Sequence, residues 1–117
     1  MKEIKAIVQP FKLTKIRNAF RHLKGFPGMS VSKVEGCGAC REEAAQARDG
    51  VKEELTDFSP KVRIEIVAPD HMVEGIVQVL TEVAYTGQEG DGIVWVTPAE
   101  RVMRIGERIC LVDDQNP

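Results

Sequence analysis

Twice along this chain an alternating apolar run leads into a helical stripe and then into a second alternating run. Ile4, Ala6 and Val8 alternate with Lys5, Ile7 and Gln9, the period of a strand with one well-buried face. Pro10 ends that run. Leu13, Ile16, Ala19, Phe20 and Leu23 then recur at helical spacing, with Lys15, Arg17, Arg21 and Lys24 opposite, until Gly25 and Pro27 stop the helix. Met29, Val31 and Val34 open a second strand that reaches Gly36. From Val62 to Val67 the alternation returns, Val62, Ile64 and Ile66 against Arg63 and Glu65. Pro69-Asp70 starts a second helix striped by Val73, Ile76, Val77, Leu80, Val83 and Ala84, and Ile93 to Val96 is a fourth strand. The order predicts an α+β fold of the ferredoxin-like, split βαβ kind (βαββαβ). Two helices cover one face of a four-stranded antiparallel sheet. The strands carry apolar residues toward both faces (Ile7 as well as Val8, Val67 as well as Ile66), so oligomerisation is expected to cover the other.

With 117 residues the chain is long enough for one core and too short for two, so a single domain over residues 1–117 is expected. A hydrophobic fraction of 43% and a charged fraction of 29% are those of an ordinary soluble protein. Sixteen basic residues against 18 acidic ones give a net charge of −2, which argues against nonspecific nucleic-acid binding. No apolar run approaches the roughly 20 residues of a membrane span, so no membrane insertion is expected. Met1-Lys2-Glu3-Ile4 enters strand pattern directly, without a signal-peptide core. Three cysteines without a disulfide framework fit a reducing compartment, and the cytoplasm is the expected location.

The stretch Cys37 to Pro60, between the second and third strands, is of another character. Residues 41–57 hold three cations (Arg41, Arg48, Lys52) and six acids (Glu42, Glu43, Asp49, Glu53, Glu54, Asp57), a local charge of −3 that leaves +1 for the rest. Insertions longer than about 12–15 residues in a compact domain are uncommon and usually functional or disordered. Arg41 to Arg48 is rich in helix formers and suits ordering against a partner, so the insertion reads as a mobile interaction arm. A second unusual stretch, Thr86-Gly87-Gln88-Glu89-Gly90-Asp91-Gly92, joins the second helix to the fourth strand. Two readings stand side by side: a concavity of backbone N–H groups suited to phosphate, or Gly87 as a helix C-cap followed by an Asp91-Gly92 turn. It matches neither GxxxxGK[ST] nor GxGxxG.

The position of the insertion, joined to TGxxGDG before the fourth strand, resembles the PII family of signal-transduction proteins. Ile7-Val8-Gln9-Pro10-Phe11-Lys12-Leu13, Gly28-Met29-Ser30-Val31, Pro60 through Asp70, Thr86 to Gly92 and Arg101-Val102-Met103-Arg104-Ile105 carry the likeness over nearly the whole chain outside the insertion. The resemblance implies a homotrimer that binds ATP or ADP in clefts between subunits. It also implies regulation of a transporter or enzyme through a T-loop at about 37–60, followed by a C-terminal tail at about 98–117. Carried over by position, it sets Ile7, Gly36, Gly38, Val67, Gly90, Asp91, Gly92 and Arg104 around the nucleotide. Thr86, Gly87 and Arg101 are further nucleotide-binding candidates, and Gly28, Met29 and Ser30 are expected to reach the nucleotide from the adjacent subunit. The resemblance favours the phosphate-cradle reading and names no catalytic residue; the chain also shows no nucleophile–base pair, so no enzyme is expected.

The departures from the family's pattern are informative. Ile93 stands where a basic residue usually follows GDG, and Gly106 stands where a further arginine is usual. At roughly 1.5–3 kcal/mol for each charge-assisted hydrogen bond, their loss predicts a preference for ADP or AMP over ATP. In the loop, Ala39 and Cys40 replace the usual arginine and glutamine, and the only tyrosine in the chain is Tyr85. Uridylylation of a loop tyrosine is therefore excluded, and 2-oxoglutarate sensing of the usual kind is not expected, although Lys61 remains as a candidate small-effector contact; divergent relatives of this kind are known beside transporters for bicarbonate and beside heavy-metal efflux pumps, with effectors that differ accordingly. Cys37-Gly38-Ala39-Cys40 admits three readings: small residues at a strand end, a thiol switch, or part of a soft-metal site. The second functional reading is accordingly a metal- or redox-sensing adaptor working through Cys37 and Cys40, with nucleotide binding vestigial.

Overall fold

The alternation of the four long strands decides which residues meet the helices, and pairing follows it. A computed structural model of the chain describes residues 1–37 and 58–112. In chain order the elements are β1 (Lys2–Val8), a 3-10 turn (Pro10–Lys12), α1 (Leu13–Arg21), β2 (Ser30–Cys37), β3 (Phe58–Ala68), a second 3-10 turn (Asp70–Met72), α2 (Val73–Ala84), β4 (Gly92–Pro98), β5 (Val102–Arg104) and β6 (Ile109–Leu111). The sheet runs β2-β3-β1-β4, antiparallel throughout, which is the split βαβ arrangement the sequence predicts. Ile4, Ala6 and Val8 of β1 lie opposite Ile66, Ile64 and Val62 of β3, and all six are buried. Ile16 and Phe20 from α1 and Ile76, Leu80 and Ala84 from α2 close over them. Each large side chain buried this way contributes roughly 1.5–3 kcal/mol.

The two halves share one local plan. β1 and β3 each pass through a 3-10 turn directly into a helix, with Pro10 opening the first turn and Pro69 preceding the second. The N-terminal amine and Lys2 Nζ lie 3.3 and 3.0 Å from Asp70 Oδ1, fastening the start of β1 to the second turn. After α1, Phe26 stacks on Phe20 with centroids 4.2 Å apart, which folds the Gly25–Met29 segment back onto the helix.

The opposite sheet face is mixed. Lys5 pairs with Glu3 at 3.2 Å, and Arg63 Nε lies 3.5 Å from Glu65 Oε1 without forming a well-directed hydrogen bond. Ile93 and Val67 on this face are 64% and 37% exposed.

Two boundaries differ from the sequence reading. The stretch assigned to the insertion gives up both ends, because Cys37 pairs with Phe58 and Glu35 with Pro60. Beyond Val62 the ladder to β1 has ended, so Pro60 occupies an edge position that tolerates a proline. The segment after Pro98 contains the β5–β6 hairpin, Val102 opposite Leu111 and Arg104 opposite Ile109. Each of these strands has three residues, too few for alternation to reveal. The remaining insertion, 38–57, lies outside the described residues.

Candidate functional site

Helix α2 ends without its expected glycine cap. Tyr85 leaves the helix in extended conformation (φ −66, ψ 130), and Gly87, at φ +85, belongs to the turn that follows. Asp91 organises that turn. Its carboxylate accepts from the backbone N–H of Thr86 at 2.8 Å, from that of Gly87 at 3.2 Å and from the Thr86 hydroxyl, while Gln88 N–H donates to Thr86 Oγ1 at 3.1 Å. The Thr86 hydroxyl and then its amide hold the Asp91 carboxyl below the usual carboxylate range, with smaller help from the Gly87 amide and the Lys12 charge. Three amides that the sequence reading offered to a phosphate are thus engaged within the turn. The carboxylate of Asp91 serves as its internal anion.

Gly92 is required by contact. Its φ is +113, and a Cβ there would stand 1.8 Å from the Ile7 carbonyl oxygen. The close approach brings Ile7, the end of β1 and the glycine turn together. The Gly90 carbonyl accepts from Gln9 Nε2 at 2.7 Å and from Lys61 Nζ at 3.1 Å. The Lys61 stem in turn runs so near Gly36 that a Cβ added there would lie 2.9 Å from Lys61 Cγ. One connected cluster therefore holds Ile7, Gly36, Lys61, Gly90, Asp91 and Gly92, at the mouth of the insertion where Gly36 faces Ser59. Gln9 belongs to it as well. The sequence contained the clue, since Gln9 continues the Lys5–Ile7 face of β1, but only the fold puts Gly90 in its reach.

The remaining candidates lie elsewhere. Val67 and Arg104, which the resemblance sets around the nucleotide with the glycine turn, line an open cleft of about 740 Å³ with Gly28, Met29 and Ser30. Strand register explains the separation: Ile7 pairs with Arg63, whereas Val67 pairs with Glu3. Four residues of extended strand separate the two positions, about 14 Å. Glu3 and Glu65, which the sequence did not single out, also line this cleft. Arg104 Nε is 3.7 Å from Glu107 Oε2 across the β5–β6 connection, where Arg108 N–H returns to the Arg104 carbonyl at 2.8 Å. Arg101 is exposed just ahead of β5. Cys37 ends β2 of the four-stranded sheet and Cys110 lies mid-strand in β6 of the separate hairpin, and both are exposed. Gly38 and Cys40 lie outside the described residues.

Comparison with known proteins accounts for nearly the whole of this frame. The family described as Nitrogen regulatory protein P-II matches residues 1–108. The Azospirillum brasilense nitrogen regulatory protein P-II is 40% identical over 105 residues, covering 90% of this chain and 91% of that protein. Nitrogen regulatory protein P-II 1 of Escherichia coli (strain K12) is 42% identical over the same coverage, and the Haemophilus influenzae nitrogen regulatory protein P-II is 37% identical. With the strand order, both helices and the glycine turn in the same chain, this protein belongs to the nitrogen regulatory protein P-II family of signalling regulators.

Proposed function

We propose that the chain is a nucleotide-responsive regulator in which an adenine nucleotide is held between two copies. The glycine-turn cluster of one copy would face the cleft of Gly28, Met29, Ser30, Val67 and Arg104 on another, within a homotrimer. The observation that carries this reading is the division of the candidate residues between opposite ends of one sheet, which leaves each chain with two half-sites. Arg104, with Arg101 nearby, supplies cationic groups for phosphate, and backbone at Gly90 to Gly92 supplies close approach. Ile93 and Gly106 add no charge, so ADP or AMP is favoured over ATP. Lys61 links the turn to Gly36 and hence to the insertion. Occupancy of the cleft would bias the insertion between states, and the insertion would contact a transporter or enzyme in the cytoplasm. The role is regulatory and not catalytic.

Calorimetric titration of reduced, metal-free protein with ATP, ADP and AMP tests the reading, each with and without 2-oxoglutarate or bicarbonate. One ADP or AMP per chain, bound more tightly than ATP and weakened at least tenfold by Arg104→Ala, is expected. Absence of saturable binding, or ATP bound far more tightly than AMP, would overturn it. In the first case the exposed Cys37 thiol becomes the place to seek the signal.

A further inference from the structure

Residues 4–34 contain seven lysines and arginines and not one aspartate or glutamate, although the whole chain is net acidic. Arg17, Arg21 and Lys24 stand at i, i+4 and i+7, so α1 and the turn after it present a single cationic row. None of the three makes an ion pair among the described residues. The row rims an open groove of about 580 Å³ whose floor includes Phe20, Phe26 and Met29. Phe20 is 2% exposed and stacked on Phe26, so the floor is recessed and preformed. Like charges one turn apart oppose helix formation. A row of exposed cations along a recessed apolar groove, without an internal counter-charge among the described residues, is the kind of surface expected where something else is recognised.

We propose that this groove is a second docking surface, separate from the insertion, for an acidic segment of a partner protein. The partner would place carboxylates one helical turn apart along Arg17, Arg21 and Lys24 and one apolar side chain over the Phe20–Phe26 stack. A recessed apolar floor fits a single anchoring side chain presented by a helix. A membrane surface would instead meet apolar groups that project beyond the cations. Met29 also belongs to the cleft that holds Gly28 and Ser30, so a seated partner touches a residue of that half-site.

The test uses the full chain and a capped helical peptide with glutamates at i, i+4 and i+7 and a leucine at i+3, followed by fluorescence anisotropy. Saturable binding is expected, lost when the glutamates become glutamines and weakened about tenfold or more by Arg17→Ala with Arg21→Ala. No saturable binding, or equal binding of the glutamine peptide or by the double variant, would overturn the proposal. So would binding of phosphatidylserine-containing vesicles in place of the peptide, or self-association abolished by the same variant. Arg21→Gln separates docking from folding: it should weaken peptide binding while leaving the unfolding temperature within about 2 °C of the parent, because Arg21 is exposed and makes no ion pair among the described residues. Peptide binding unchanged in that variant, or lost only together with a clearly lowered unfolding temperature, would refute the docking role of Arg21.

Discussion

Replacing Gly92 by alanine tests the core of the site's geometry. The added methyl would stand 1.8 Å from the Ile7 carbonyl oxygen and 2.8 Å from its carbon, both backbone atoms of β1. Ordinary non-bonded contacts lie near 3.5 Å, so β1 and β4 would have to separate by about 1.5 Å at this point. No side chain can rotate away to absorb it. A residue with a Cβ at φ +113 adds roughly 1–2 kcal/mol of strain. Opening the Val8–Gly92 end of the ladder forfeits hydrogen bonds worth about 1 kcal/mol each. Together these amount to about 3 kcal/mol, a large part of the 5–15 kcal/mol typical of a domain. For a chain of this size that is a fall of roughly 10 °C in the unfolding temperature. Thermal unfolding followed by circular dichroism at fixed protein concentration measures it, with Gly106→Ala as the control because a Cβ there meets nothing within 4 Å. A Gly92→Ala protein melting within about 2 °C of the parent would refute the close-approach argument.

Three further outcomes can be measured. Asp91 is held below the ordinary carboxylate value near 3.9, so its contribution to stability is complete above that pH and is lost as the pH falls through the lower folded value. Asp91→Asn should therefore lower the unfolding temperature at pH 7 and flatten the acid side of its pH profile, and an unchanged profile would remove Asp91 from the turn's structure. Ile93→Lys with Gly106→Arg should raise ATP affinity by about tenfold for each cation that reaches phosphate, read by calorimetry against AMP as the reference. Gly36→Ala pushes on the Lys61 stem and not on backbone, so stability should change by less than about 1 kcal/mol. Hydrogen exchange at Gly90 and Asp91 should nevertheless quicken as Lys61 leaves the Gly90 carbonyl; unchanged exchange would deny the link between turn and insertion.

Much of the fold could be read from period alone because each long strand buries one face. Ile4, Ala6 and Val8 announced β1 because every second residue meets a helix, and Ile76 and Leu80 announced α2 in the same way. The β5–β6 hairpin escaped because three residues leave no period to detect. The extension of β3 back to Phe58 escaped because Ser59 and Pro60 read as turn residues in isolation. At the site, the glycine turn was visible, but its internal use of Asp91 was not. A carboxylate satisfying amides four and five residues earlier depends on backbone angles at Gly87 and Gly90, not on composition. The distance of Val67 from the glycine turn was not legible for a different reason. Its neighbours in space are set by antiparallel register, and sequence order carries no measure of which strand end lies beside which.

The same register explains why the candidate residues form two groups. Each βαβ half ends its helix in a turn with positive-φ glycines: Gly25 and Gly28 after α1, Gly87, Gly90 and Gly92 after α2. The first turn feeds β2 at Ser30, which lies opposite Glu65, while the second feeds β4 at Gly92, opposite Val8. Because β1 and β3 run antiparallel, corresponding turns of the two halves are sent to opposite ends of the sheet. No rearrangement of loops within one copy brings them together while the ladder between β1 and β3 persists. On the function proposed above, a nucleotide that touches both turns is shared between copies. That makes a decisive mixing experiment available: chains carrying Arg104→Ala, combined with chains carrying Gly90→Val, should regain some intact sites on subunit exchange. If each chain held a complete site of its own, mixing two inactive variants would restore none.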